Sequence, residues 1–196
     1  MAQTSTTLIS AKSHITSITG TDISLSATSG VYTISATSTV LTGAGKLAVG
    51  DLITVSGSAS NNSTFTVATV VSTTELTVSE VVTSENADGS STITLDHVGF
   101  VSDKAKGDGY YSQPDGVHTV AYQVANDFNA DATIKMQGTL ATTPTEDDWF
   151  GIANTTFTSD TSTLTSSFNF TGNYVWVRSK TQLLTAGTTN SILLNS

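Results

Sequence analysis

Apolar residues along this chain recur at every second position far more often than at every third or fourth, a pattern that predicts strands rather than helices. It is clearest between Gly107 and Leu140. There His118, Val120, Tyr122 and Val124 alternate with Thr119, Ala121 and Gln123, and Ile134, Met136, Gly138 and Leu140 alternate with Lys135, Gln137 and Thr139. Asn126 to Asp131 separates the two runs with residues that tolerate positive φ and bond their own backbone, so the stretch predicts a hairpin of two long antiparallel strands. Pro114-Asp115-Gly116 predicts the turn that launches the first strand. Further on, Phe168 and Phe170, the turn Thr171-Gly172-Asn173, and then Tyr174 and Trp176 predict a second hairpin with an aromatic face. A core between two sheets accommodates both.

Val31 to Leu95 carries shorter strand patterns at regular spacing: VYTIS, LITVSG, STFTVATVVS, ELTVSE and STITL. Asp88-Gly89 marks a hairpin-type turn and Asn61-Asn62 another turn between them. The predicted fold class is all-β: a small N-terminal β-barrel or sandwich module at 31–95, then an antiparallel β-sandwich domain at 108–196. Residues 96–107 form the expected linker, where apolar content drops and Asp103, Lys104, Lys106 and Asp108 cluster. In residues 1–30, Leu8, Ile9, Ile15, Ile18, Ile23 and Leu25 show no helical stripe and no hairpin partner close in sequence. They predict an extended arm that adds a strand to a neighbouring subunit, because burial and backbone pairing there offset the ordering entropy of about 1 to 2 kcal/mol per residue.

Composition narrows the partners. Lys and Arg number 7 against 16 Asp and Glu, a formal net charge of -9 over 196 residues. Nucleic-acid binding rests on clustered cations, so nucleic acid is not an expected partner. Cysteine is absent, which removes disulfides and thiolate metal sites. No apolar run approaches the roughly 20 residues of a membrane span, and the N-terminus lacks a signal-peptide pattern, so a soluble, non-membrane product is expected.

Candidate chemistry is sparse. His14, His97 and His118 lack metal-ligand spacing, and three convergent ligands would be needed for zinc. Asp127, Asn129 and Asp131 are spaced like the first half of a calcium loop, but Ala132 stands where glycine is required and Gly138 where glutamate is; a turn is the better reading. Ser and Thr are abundant, yet no Gly-x-Ser-x-Gly elbow singles out a nucleophile. Glu146, Asp147 and Asp148 follow Pro144-Thr145 and predict a short helical turn with acids at its N-terminal end. Arg178, the one arginine, shares a strand face with Tyr174 and Trp176; stacking on a ring or pairing with a carboxylate is expected of it. Tyr110, Tyr111 and Trp149, beside Asp and Asn, form a candidate sugar-stacking platform, the alternative being a lid over the sandwich core. No catalytic residue, cofactor or metal is assigned.

Two resemblances add a setting. LAVGDLITVSGSASNNSTFTVATVVSTTELTVSE resembles a small β module that recurs in virion proteins of tailed bacteriophages. GDGYYSQPDGVHTVAYQV, ATTPTEDDWFGI and NFTGNYVWVR together resemble a domain of structural proteins of marine cyanobacterial phages with contractile tails. The resemblance implies a virion location after assembly in the host cytoplasm, other virion proteins as partners and no catalysis. Within that setting the expected role is an accessory exterior component, a capsid decoration protein or a head or tail appendage, since the long repeats of fibre shafts are missing. A homo-oligomer is expected, a trimer by analogy with phage appendages. The alternative role is a carbohydrate- or receptor-binding module of a tail fibre or baseplate.

Overall fold

The computed structural model describes residues 5–111, 116–159 and 164–195. Its strands are β1 (Ser5–Ile9), β2 (Lys12–Ser13), β3 (Ile18–Gly20), β4 (Ile23–Thr28), β5 (Val31–Ala36), β6 (Asp51–Ser56), β7 (Thr64–Ser72), β8 (Glu75–Val78) and β9 (Ile93–Val101). They continue with β10 (Ala105–Lys106), β11 (Val117–Val124), β12 (Thr133–Thr139), β13 (Phe150–Gly151), β14 (Phe157–Thr158), β15 (Thr165–Thr171), β16 (Trp176–Gln182) and β17 (Thr188–Asn195). The only described helices are two single 3-10 turns, Asp108–Tyr111 and Glu146–Asp148. The fold is all-β and antiparallel, as the period-two patterning requires. Two compact units form: an inserted unit, Ile15–Phe100, and a terminal unit built from both chain ends, Met1–His14 with Val101–Ser196.

In the inserted unit every predicted strand of 31–95 is present, joined by two short stretches from the segment read as an arm. β4 pairs β5, β5 pairs β8, β8 pairs β7, β7 pairs β6, β6 pairs β9, and β9 pairs β3. β3 and β4, at the two ends of this strand order, follow one another directly in the chain, and the strands wrap their apolar sides around one interior. Its interior is a continuous apolar cluster that includes Ile18, Ile23, Leu25, Ile34, Ile53, Phe65 and Leu76.

This corrects the arm. Ser29 and Gly30, with φ of 52° and 79°, form a tight turn that folds β4 onto β5, with Thr28 opposite Val31. Positive φ at both central residues matches the twist of a two-residue hairpin. Ile18, Ile23 and Leu25 are buried in the inserted unit and Ile15 packs against the same cluster. Ile9 is buried in the terminal unit, where β1, including the half-buried Leu8, lies along β17. The hydrophobic residues of 1–30 are thus used within their own chain. The linker is corrected too, since β9 runs through its first half and buries His97 and Phe100.

The terminal unit contains two sheets. One has the order β1-β17-β11-β15 with β2 beside β17; in the other β16 lies between β12 and the short β10, and β13 and β14 pair with β12. Neither predicted hairpin forms. β11 pairs β15 and β17, whereas β12 pairs β16, so each expected hairpin is instead a crossing from one sheet to the other. Alternation reveals which side chains of a strand are buried but not which strand lies beside it. The 125–132 connection is drawn inward by buried Phe128 and Ala132, and Asn129 pins it to another loop by donating to the Leu183 carbonyl and accepting from the Thr185 and Ala186 amides. Asn129, the middle residue of the calcium-like spacing, thus serves as a loop anchor.

Candidate functional site

The chemistry-bearing residues of the terminal unit gather on the outer face of the β12–β16 sheet. Ile134 and Met136 on β12 and Val177 on β16 are buried, so the alternate residues Lys135, Gln137, Thr139, Trp176, Arg178 and Lys180 point the other way. The register sets Lys135 opposite Lys180, Gln137 opposite Arg178 and Thr139 opposite Trp176. On the other side of β16, Lys106 lies opposite Trp176.

Arg178 organises one end of this face. Its two terminal nitrogens donate to the Glu146 carboxylate at 2.9 and 2.7 Å, its Nε donates to the Gln137 amide oxygen at 2.9 Å, and its guanidinium lies 4.2 Å above the Trp149 ring. Both roles expected of Arg178 are therefore filled at once, and a bidentate fork on a carboxylate is geometry that lysine could not reproduce. The turn carrying Glu146 forms as predicted. The Thr145 amide and hydroxyl donate to Asp148 at 2.7 and 2.8 Å, which holds the Asp148 carboxyl below the usual aspartate range.

Aromatic rings fill the other end. Tyr110 and Tyr111 sit on the 3-10 turn, edge to face with centroids 5.2 Å apart, and Tyr110 leans on Trp176 at 4.8 Å. Lys106 lies 4.2 Å from the Tyr110 ring and Lys104 4.5 Å from the Trp176 ring. The Trp176 indole is fixed by donation to the Thr142 carbonyl at 3.0 Å. Tyr110 and Tyr111 remain 43% and 55% exposed, so their rings are available to solvent.

The proposed platform of Tyr110, Tyr111 and Trp149 is thus rearranged. The tyrosine pair is joined by Trp176, while Trp149 gives one face to Arg178. Sequence reasoning missed Trp176 as the partner and missed Lys104 and Lys106, whose i, i+2 spacing would have placed them on one side of a short strand. Tyr174 packs against Gly138 and Gly172, where an added Cβ would come within 2.6 and 2.4 Å of its ring.

The histidines lie elsewhere. His97 accepts from the Ile15 amide at Nδ1 and its Nε2 is 3.4 Å from Asp51, both buried; His118 stacks on Phe170 with Nε2 3.3 Å from Asp108. Among the described residues, no group of three His, Asp or Glu converges as a metal site. No described helix is long and apolar enough to cross a membrane. Pro114 and Asp115, read as a turn, fall outside the described residues. Comparison of the chain with family models, curated proteins and solved structures returned no match.

Proposed function

We propose that the protein is a non-enzymatic structural component of a tailed-phage particle, an accessory subunit on its exterior that works through protein–protein contacts. The observation that carries this reading is the edge of the first sheet of the terminal unit. β15 pairs β11 on one side, and among the described residues no strand pairs its other side. Its sequence, TSSFNFT, contains no charge and no proline. Solitary proteins guard such edges with lysine, proline or bulges, and an unguarded one is suited to accept a strand from a partner. The phage-like residues at 107–178 supply the setting. The assembly is read as a closed homo-oligomer, taken as a trimer, docked on other virion proteins.

Purified particles probed with an antibody against this chain, with copies counted by quantitative mass spectrometry, test the reading. Stoichiometric presence supports it, and particles lacking the chain overturn it. Ser167→Lys at an exposed position of β15 should lower the oligomer mass measured by light scattering without unfolding the protein, because a charge on an edge strand opposes edge pairing.

A second reading, carbohydrate recognition by the terminal unit, is favoured by the exposed Tyr110–Tyr111 pair backed by Trp176. Aromatic side chains that are rigid, solvent-facing and mutually packed offer stacking faces at low entropic cost.

A further inference from the structure

We infer that β15 pairs antiparallel with β15 of a second copy of this chain, about a twofold axis through Phe168 that joins the two sheets edge to edge. The inference rests on the edge reading in the proposed function and adds the occupant of that edge and its register. β15 runs without a bulge along β11, from Val117 opposite Thr171 to Gln123 opposite Thr165. The Val124 amide donates to the Leu164 carbonyl, which sets the phase of that ladder. Bonded and non-bonded positions alternate in an antiparallel pair, so Ser166, Phe168 and Phe170 turn their backbone groups to β11, while Thr165, Ser167, Asn169 and Thr171 turn theirs to the open edge. The Thr171 carbonyl also accepts from the Tyr174 hydroxyl at 3.3 Å, so the fully open run is Thr165 to Asn169.

This edge is suited to a copy of itself. In a twofold contact each residue near the axis meets its own kind, so a charge there would face a like charge. β15, β11 and β17 contain no Asp, Glu, Lys or Arg, in a chain of net charge -9. With the axis at Phe168, Ser167 stands opposite Asn169 of the second copy and Thr165 opposite its Thr171, bonded pairs with polar side chains on the outer face. Phe168 meets Phe168 of the second copy as a non-bonded pair, the kind in which side chains approach most closely. The Phe168 ring lies 5.7 Å from that of Tyr122 and is half-buried; the second ring covers the part left exposed.

The opposite edge of the same sheet is a weaker partner for β15. The register of β1 on β17 is irregular between Thr7 and Ile9, and a bulge is one of the devices that guard an edge. Two chains of net charge -9 repel one another, and the uncharged edge keeps that repulsion at distances where salt screens it. Association through β15 therefore tightens as salt is raised. A twofold contact makes pairs, so a trimeric assembly would contain it as two trimers joined edge to edge.

The chain has no cysteine, so single-cysteine variants of the full chain report the contact directly. Directly opposite bonded residues lie about 5.5 Å apart at Cα, within disulfide reach, whereas diagonal ones lie about 7 to 8 Å apart. An oxidised mixture of Ser167→Cys and Asn169→Cys copies should therefore cross-link severalfold more than either variant alone, with light scattering and thermal unfolding of the reduced variants matching the parent chain. The dissociation constant of the parent should fall as salt is raised from about 0.01 to 0.15 M. Preferential cross-linking of Ser167→Cys to Thr7→Cys overturns the twofold pairing in favour of β15 meeting β1 of the next copy, and leaves the edge reading standing. An oligomer that cross-links at neither pair overturns the inference and moves the contact off β15. A chain that stays monomeric at every concentration and salt overturns the inference and the homo-oligomer with it, while its presence in purified particles decides the virion reading separately. Association that weakens as salt rises overturns an uncharged contact.

Discussion

The inserted and terminal units bury β-strands without a single cysteine, yet they treat polar groups differently. In the inserted unit a continuous apolar cluster is flanked by the buried pair His97 and Asp51, and other polar side chains clamp loops. Asp22 accepts from the Ser38 and Thr39 amides and hydroxyls, Glu80 from the Thr66 amide and hydroxyl, and Glu85 from Ser58, Ala59, Ser60 and Asn61. In the terminal unit, hydroxyls enter the sandwich itself. Thr181 and Thr189 are fully buried, and among the described residues their hydroxyls meet no partner. In the inserted unit β5 to β9 each have two strand neighbours, and carboxylates serve as fasteners beside the core. The open two-sheet terminal unit leaves one side of β15 unpaired among the described residues and an imperfectly satisfied interior.

The largest test of that contrast is Ile53→Ala. Ile53 is fully buried in the apolar cluster, and its truncation should cost about 2 to 5 kcal/mol. Hydrogen exchange resolved by peptide should show protection lost across 15–100 and retained in the terminal unit; equal loss in both would dissolve the distinction between them. Next is Gly138→Ala. The added methyl lands 2.6 Å from the Tyr174 ring, so overpacking of about 1 to 3 kcal/mol is expected in denaturant unfolding. Adding Tyr174→Ala should recover part of that loss, and strictly additive costs would show that the ring is not the obstacle.

One substitution made in both units should have opposite signs. Thr181→Val replaces an unpartnered buried hydroxyl by a methyl and should stabilise by about 1 kcal/mol. Thr66→Val removes a hydroxyl that donates to Glu80 at 2.7 Å and should destabilise by about 1 kcal/mol. Denaturation midpoints moving in the same direction would refute the contrast in polar bookkeeping.

The smallest effects are in pH. Hydrogen bonds from Thr39 and Ser38 to Asp22, from Ser58 and Ala59 to Glu85, and from Ser91 and Ser90 to Asp88 hold these carboxyls below their usual range. Their stabilisation is complete above the unfolded values near pH 4 and declines as pH falls through the folded ones. All three carboxyls are solvent-screened, so the decline should be modest. It should appear first as faster exchange in the loops of the inserted unit. Tyr122 behaves in the reverse sense. Burial pushes its phenol far above the ordinary value, while donation to the Thr155 carbonyl at 2.9 Å secures it. Its contribution is intact below about pH 10 and declines as pH rises beyond that, where the unfolded chain ionises first. Alkaline exchange should therefore open the terminal unit first, and Tyr122→Phe should remove that sensitivity.

Strand content was written in the residues themselves, because the alternation of buried and exposed positions is local. VYTIS, LITVSG, STFTVATVVS and ELTVSE appear as β5 to β8, and the turn at Glu146 to Asp148 forms where acids follow Thr145. Ser29-Gly30 was a readable turn signal between alternating runs, and attending to it would have removed the arm. Of the candidate site, the amino-acid order singled out Tyr110, Tyr111, Trp149 and the two options for Arg178. It could not pair Tyr110 with Trp176, residues that are distant in sequence and meet only because β10 lies along β16.

What the amino-acid order determined was therefore the class of element, the buried side of each strand and the acidic, cysteine-free character of the chain. Only the tertiary structure decided that β11 and β12 lie in different sheets, that residues 5–9 join a unit whose main part begins at Val101, and that Tyr110 meets Trp176. The physical reason is that a period of two specifies a side and leaves the neighbour open. The neighbour is chosen by which distant strands can bury their apolar sides together and satisfy each other's backbone.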